Sequence, residues 1–316
     1  MTRRLIWTFT LLGLLATGAW GQDAGQITGV VQDSSGAVIA AATVKGIEVG
    51  TGFSRTTTSG ADGQYVLRSL RPTRYDVTVE VTGFRTFRRS GIELLANQSL
   101  TLNITLEVGA VTESVQVAGE VVQVDTSTST LTDIVDHSRI VEMPLNGRDV
   151  NMLATLVPGT SLISVSNETG KSIPGGLRLS SNGTGRGQVT YRLDGASNTD
   201  FYYQENQTAP FPDAVQEFSI QTSNYSAAQG NSAGAMVNVV TRSGTNEFHG
   251  GAFEFVRNRA LNARNFFLPT QDFIKRNQFG AYAGGPVKLP GYDGRNKTFF
   301  FLGWQGTRFR NRAGDA

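Results

Sequence analysis

The chain has 316 residues, a formal net charge of +2 and 17% charged residues, well under the ~25% usual for soluble globular proteins. That balance gives no electrostatic case for nucleic acid, and plentiful apolar residues without charge runs argue against disorder. There is no cysteine, which excludes disulfide frameworks and thiolate metal sites, while 37 glycines point to many short strands and turns in two or three domains.

The N-terminus reads as an export signal over 1–21. Arg3 and Arg4 precede an apolar run, Leu5–Leu15, and then the small residues Ala16 to Gly21, the order of a cleaved signal peptide. Cleavage after Ala19 or after Gly21 both satisfy the small-residue rule, and an uncleaved anchor is the alternative. The run falls short of the ~20 residues a spanning helix needs, and no later segment is apolar and long enough. A mature protein of this chain that sits in a membrane must therefore do so as a barrel.

Residues 26–107 alternate strands with turn signals. Ile27–Val31 runs into Asp33-Ser34-Ser35-Gly36, Ala42–Val49 and Phe53–Thr58 follow, and Ala61-Asp62-Gly63 reads as a tight hairpin turn before Tyr65–Leu67. Tyr75, Val77, Val79 and Val81 alternate with polar residues, as do Leu100, Leu102, Ile104 and Leu106, so each set lines one buried face. About seven short strands in this space predict a β-sandwich. Tyr65 and Phe84 are expected in its core rather than at a ligand, and Arg85, Arg88 and Arg89 on a solvated edge that discourages strand addition. The "SG" turn ending at Gly36, Thr51-Gly52, Asp62-Gly63-Gln64-Tyr65 and the run Tyr75–Phe84 resemble the carboxypeptidase regulatory-like (transthyretin-like) domain. Its name implies no peptidase chemistry.

Residues 108–130 form a connector, β-prone and free of proline over Thr112–Ala118 and polar over Asp125–Thr130. From 131 to 245 the pattern is α+β. Asn146 reads as the N-cap of a helix, with Asp149 at the capping-box position. Val150, Leu153, Ala154 and Val157 make its apolar stripe, and Pro158-Gly159 ends it. Gly183, Gly185 and Gly187 lack the spacing of a phosphate loop. Gln188–Leu193 predicts a strand and Asp194-Gly195 a turn. A loop over Asp200–Pro212 carries Phe201, Tyr202, Tyr203 and Phe211. Further strands are predicted over Glu217–Gln221 and Ala235–Thr241. From 246 to 316 three long aromatic strands are predicted, Phe248–Arg257, Gln278–Val287 and Lys297–Arg308, of about the length that crosses an outer membrane.

Several runs carry a family resemblance. "PDAVQEFSIQTSNYSAAQGNSAGAMVNVVTRSGTNEFHGG", Pro212–Gly251, resembles the end of the plug of TonB-dependent outer-membrane transporters and its handover to the barrel. "PLNGR" at Pro144–Arg148 and "LVPG" at Leu156–Gly159 resemble a plug signature of the Oar-like branch. "NEFHGGAFEFVRN", "RNQFGAYAGGPV" and "NKTFFFLGWQGTR" resemble that branch's first barrel strands. The resemblance implies a mostly β chain: a periplasmic sandwich, an α+β plug over 131–245, and the first strands of an incomplete transmembrane β-barrel. Family barrels have about 22 strands around a plugged lumen. Three cannot close, so the chain is expected to be a piece of a longer product.

The same resemblance implies energised uptake across the outer membrane, with outer-membrane lipid, an extracellular ligand and a TonB-type protein as partners. Within the connector, Thr112, Glu113, Ser114, Val115, Gln116, Val117 and Ala118 resemble a TonB box, which must be extended and proline-free to add a strand to a partner's sheet; an ordinary interdomain strand is the alternative. Phe201, Tyr202, Tyr203 and Phe211 are candidate ligand contacts, with packing against the barrel wall as the alternative. The runner-up function is a secreted or periplasmic β-sandwich module for carbohydrate binding or adhesion. No enzyme is expected. With only His137 and His249, there is no H-x-x-E, no HExxH and no G-x-S-x-G, hence no catalytic, metal or cofactor residues to name.

Overall fold

A computed structural model of the chain describes residues 24–109, 114–116, 130–165, 177–185, 187–202, 204–225, 233–264, 266–267, 269, 271 and 274–310. The export signal predicted over 1–21 lies outside them.

The N-terminal region is a sandwich of two sheets. Its strands are β1 (Gly25–Asp33), β2 (Thr43–Glu48), β3 (Ser54–Thr58), β4 (Gln64–Leu70), β5 (Arg74–Glu80), β6 (Thr86–Glu93), β7 (Ser99–Thr101), β8 (Ile104–Leu106) and β9 (Ser114–Gln116). One sheet runs β4-β1-β7, with β8 also on β1, and the other runs β3-β2-β5-β6-β9. The period-2 pattern does what it predicts: Ile27, Val31, Val44, Leu67, Val77, Val79, Ile104 and Leu106 meet in one core, each contributing about 1.5–3 kcal/mol of gross burial. Tyr65 is 1% exposed in that core, and its hydroxyl donates to the carbonyl of Leu102 at 2.7 Å.

Three expectations change. The Ala61–Gly63 turn is not a hairpin, because β3 pairs with β2 while β4 pairs with β1; the turn carries the chain from one sheet to the other. The single strand expected over Leu100–Leu106 is two, each parallel to a different half of β1. At the break, Asn103 Oδ1 accepts from the Val30 amide at 3.1 Å. Leu102 presses so close that a Cβ on Gly29 would lie 2.6 Å from its carbonyl carbon. Finally, the arginine-bearing edge does take an added strand. β6 lies between β5 and β9, and Arg85 pairs with Glu107 at 3.1 Å, so the charge does not leave the edge open.

The α+β region holds β10 (Leu131–Asp136), α1 (His137–Glu142), β11 (Thr160–Val165), β12 (Leu177–Ser181), β13 (Thr190–Leu193), β14 (Ala196–Ser197), β15 (Val215–Ser223) and β16 (Met236–Thr241). Its sheet runs β10-β15-β16-β13-β14, and β11 and β12 form a separate hairpin. Asp136 caps α1, its Oδ1 accepting from the Arg139 amide at 3.0 Å. The β13–β14 turn has Asp194 at φ 50 and Gly195 at φ 79, the two left-handed residues a type I′ hairpin needs.

The stripe Val150, Leu153 and Ala154 is buried in this region's core, with Val157 packed against it. The segment is a 3-10 helix over Val150–Leu156, however, and its cap is Asp149, which accepts from the Asn151 amide at 3.0 Å. Asn146 is not the cap: Gly147 and Arg148 both take positive φ, so the helical path breaks between Asn146 and the stripe.

The C-terminal region is an open antiparallel sheet of β17 (His249–Asn258), β18 (Lys275–Pro286) and β21 (Phe299–Arg310), with a small hairpin of β19 (Lys288–Leu289) and β20 (Tyr292–Asp293) between the last two. Register is unbroken from His249↔Gly284 to Asn258↔Lys275 and from Lys275↔Arg310 to Pro286↔Phe299. Gly29→Ala should lower the sandwich's stability by about 1–3 kcal/mol, the usual cost of overpacking. Urea unfolding followed by hydrogen exchange at β1 amides measures this, and an unshifted midpoint would show that Leu102 gives way freely.

Candidate functional site between the α+β region and the C-terminal sheet

Cross-strand register assigns the two faces of the C-terminal sheet. Phe253, Phe255, Gln278, Gly280, Tyr282, Phe301 and Gly303 point to one side, and Ala252, Phe279, Ala281, Ala283, Leu302 and Trp304 to the other. The second side is exposed and apolar, with Leu302 at 68% and Trp304 at 61%, though Glu254 shares it opposite Phe279. The first side is partly covered by the α+β region, with Gln278 6% and Phe255 48% exposed.

Two arginines make that contact. Arg148 pairs with Asp213, and its guanidinium lies 4.5 Å from the Phe253 ring centroid and 4.1 Å from that of Phe255. Arg242 sits 5.4 Å from Tyr282 and 5.9 Å from Phe301, and its Nη1 donates to the Asp213 carbonyl at 3.4 Å. A planar cation can satisfy a carboxylate at its rim while its face covers an aromatic ring. Burial pulls the Arg148 guanidinium below its ordinary value, and Asp213 partly restores it.

The turn before Arg148 is fixed to the same wall. Gln278 donates to the Gly147 carbonyl at 2.8 Å, and Arg257 donates to Asn146 Oδ1 at 3.2 Å. Arg148 has φ 56, a strained setting for a residue with a side chain, and the wall contacts hold it there. His137 closes the cluster from behind: its Nδ1 donates to the Val215 carbonyl at 2.6 Å. Burial, followed by the nearby positive charge of Arg242, holds its imidazole below the ordinary value, against the opposing pull of the Val215 hydrogen bond, Asp213 and Asp136. Burial likewise raises the Asp149 carboxyl, and the Asn151 hydrogen bonds moderate it.

The residues singled out in the sequence are not gathered in one place. Ser114, Val115 and Gln116 form β9, parallel to Thr86–Arg88 of the sandwich; Thr112, Glu113, Val117 and Ala118 lie outside the described residues. Phe201 and Tyr202 stand 95% and 82% exposed on a tight turn, where the Tyr202 amide donates to Asp200 Oδ2 at 3.0 Å and Gln204 Nε2 to the Phe201 carbonyl at 3.1 Å. Tyr203 lies outside the described residues. Phe211 is elsewhere, with its ring 5.4 Å from that of Phe253 and in the hollow that Gly303 leaves, where a Cβ would lie 2.8 Å from it. It is part of the wall contact.

Comparison with known proteins bears on both ends of the chain. Residues 26–107 match the carboxypeptidase regulatory-like domain and residues 240–315 match the outer membrane beta barrel domain. The TonB-dependent transporter Oar of Myxococcus xanthus is 29% identical over 266 residues, which is 79% of this chain and 23% of that protein. The chain is thus similar, over 79% of its length, to a TonB-dependent outer-membrane transporter. It spans about a quarter of the length of the curated relative it matches, 23%. Among solved structures, the siderophore receptor PirA from Acinetobacter baumannii aligns over 52% of this chain and 23% of that one, with 16% identity and a TM-score of 0.37. A hydroxyquinol 1,2-dioxygenase from Pseudomonas putida DLL-E4 aligns over 27% of this chain and 57% of that one, with 10% identity and a TM-score of 0.22.

The match of residues 240–315 to the outer membrane beta barrel domain falls on the C-terminal sheet. The apolar, exposed face of its C-terminal sheet is the face hydrocarbon requires. The sequence had quoted Arg148, Asp213 and Arg242 only inside motifs. Nothing in their spacing says that they converge, because the aromatic rings that receive them lie forty or more residues away in the numbering.

Removing Arg148 strands a shielded Asp213 carboxylate, whose side chain is 14% exposed. Arg148→Ala should therefore loosen the α+β region by about 3–5 kcal/mol, and Arg148→Lys by less, since it keeps charge but loses the planar stack. Urea-induced exposure of β15 and β16 amides, read by hydrogen exchange, checks the order, and equal midpoints for the two variants would refute the stacking argument. For His137 the folded imidazole lies below the unfolded value of about 6.5, so the unfolded state binds more protons as pH falls. Its contribution is intact above about pH 6.5 and declines as pH drops toward the folded value. Stability measured between neutral and mildly acidic pH should fall less steeply in His137→Gln; identical slopes would remove His137 from the account.

Proposed function

We propose that this chain is the N-terminal part of a TonB-dependent transporter that takes up a ligand across the outer membrane with energy supplied from the periplasmic side. In this reading residues 1–21 direct export, 26–107 form a periplasmic sandwich, 108–130 connect, 131–245 are the plug, and 246–316 begin the barrel. The observation that carries it is the two-sided C-terminal sheet. One face is apolar and exposed, and the other is partly covered by the α+β region through Arg148 and Arg242. A plug must seal the lumen and yet be able to move. Ion pairs and aromatic stacks against glycine-spaced wall positions suit that, because they exclude water without interlocking the two parts.

Thr112–Ala118 serve as the TonB box, offering backbone donors and acceptors to a partner's sheet edge. Phe201 and Tyr202, with Tyr203, form the exposed aromatic contact for the ligand; Phe211 is assigned to the wall instead. The curated relative is a transporter, and no catalytic role is assigned to any residue here. Proline has no backbone donor and resists the extended pairing a box needs. Val115→Pro in the full-length protein should abolish energised uptake and co-purification with the host's TonB-type protein, while leaving surface ligand binding and outer-membrane abundance unchanged. Undiminished co-purification in both Val115→Pro and Val117→Pro would refute the box.

A further inference from the structure

The sandwich touches both the α+β region and the first barrel elements. From its Leu94–Ser99 loop the Ala96 amide donates to both carboxylate oxygens of Glu217, at 3.2 and 3.1 Å. Glu217 is 4% exposed and belongs to the face of the α+β sheet turned away from its apolar core. Register puts Ser219 and Gln221 of β15 and Asn238 of β16 on that same face, with Met236 and Val240 among them. Ser219 and Asn238 are 5% and 1% exposed, and both amide atoms of Asn238 and Oε1 of Gln221 make no hydrogen bond among the described residues.

A second set of contacts reaches the wall. The Gly50 carbonyl accepts from the Asn246 amide at 2.9 Å, where the α+β region hands over to β17. Gly52 lies against Asn296, in the turn that links β18 to β21. Asn246 and Asn296 bond to each other at 2.7 and 2.8 Å. A sandwich held by its own core therefore bridges one part that must move and one that is fixed in the membrane.

We propose that the sandwich is a clamp on the plug, and that the plug moves only after Ala96 releases Glu217 and the polar face bearing Ser219 and Asn238 opens to water. This rests on the transporter reading. Any shift of the plug relative to the wall lengthens one of the two contact sets. The wall set is satisfied on both sides, with Asn246 and Asn296 paired. The plug set buries amide atoms with no partner among the described residues, which water supplies on opening. Polar interfaces within a chain are those across which domains move. The plug side is accordingly the side that parts.

The chain has no cysteine, so single thiols report on each joint in the full-length protein in living cells. Ser219→Cys, a near-isosteric change, reports on the clamp, and Ala214→Cys, beside Gly303, reports on the wall joint. Labelling by a small maleimide is timed with the inner membrane energised and with its proton gradient collapsed by a protonophore. Ser219→Cys should label faster in energised cells, and Val115→Pro should remove the difference. Faster labelling at Ala214→Cys but not at Ser219→Cys would overturn the clamp and leave the transporter reading intact. No energy dependence at either thiol would overturn both. A difference at Ser219→Cys that survives Val115→Pro would uphold the clamp and refute the box.

Discussion

The Arg148 guanidinium, held between the Asp213 carboxylate and the rings of Phe253 and Phe255, is the contact on which the rest of the structure depends. It joins the α+β region, which has its own core, to the open C-terminal sheet. A buried ion pair alone is a poor source of stability, since desolvation consumes most of the Coulomb attraction. Two ring faces change the balance. They replace lost water around a weakly hydrated cation, contributing up to about 2 kcal/mol each where water is excluded. Asp213 also orders its surroundings, because its carbonyl receives Arg242, and Arg242 makes the matching stack on Tyr282 and Phe301.

The wall is built to receive those groups. Register places Gly280 and Gly303 on the same face as Phe253, Tyr282 and Phe301, so large rings alternate with bare backbone. Phe211 fills the hollow at Gly303, where any side chain would collide with its ring. The opposite face carries Ala281, Ala283, Leu302 and Trp304, with Gly306 lying under the rings of Phe279 and Trp304. One stretch of sequence thus encodes two surfaces at period 2, one exposed and apolar and one packed against the α+β region. This is why Lys297–Arg308 reads as apolar on both faces at one end.

Sequence made the strands and the cores legible, because burial imposes a period. Ile27 to Leu106 in the sandwich and Val150 to Ala154 in the α+β region are found where the pattern puts them. It misjudged places where backbone geometry overrides pattern. Asn146 looks like a cap, but left-handed Gly147 and Arg148 intervene, and Asp149 takes the role. Leu100 to Leu106 looks like one strand, but Asn103 inserts its side chain into the ladder at Val30. The candidate site was legible only in part. Phe201 and Tyr202 stand exposed as their polar loop suggests, whereas Phe211, drawn from the same loop, is captured by the wall. The arginine stacks were not legible, because a cation's partner across a fold leaves no local signature.

The two joints of the α+β region differ in what water does to them. At the wall, arginine faces lie on rings and the contact is sealed by hydrophobic area, so admitting water costs the stack as well as the ion pair. At the sandwich, the contact runs from the Ala96 amide to the Glu217 carboxylate, beside an Asn238 amide that is unpaired among the described residues, and water can replace these hydrogen bonds. A pull applied between residues 107 and 131 enters the chain between these joints, so it need not load them equally. The joint that water can replace yields first, and the sealed one yields only under continued force. On the clamp proposal, that ordering makes the buried face around Ser219 the earliest reporter of motion.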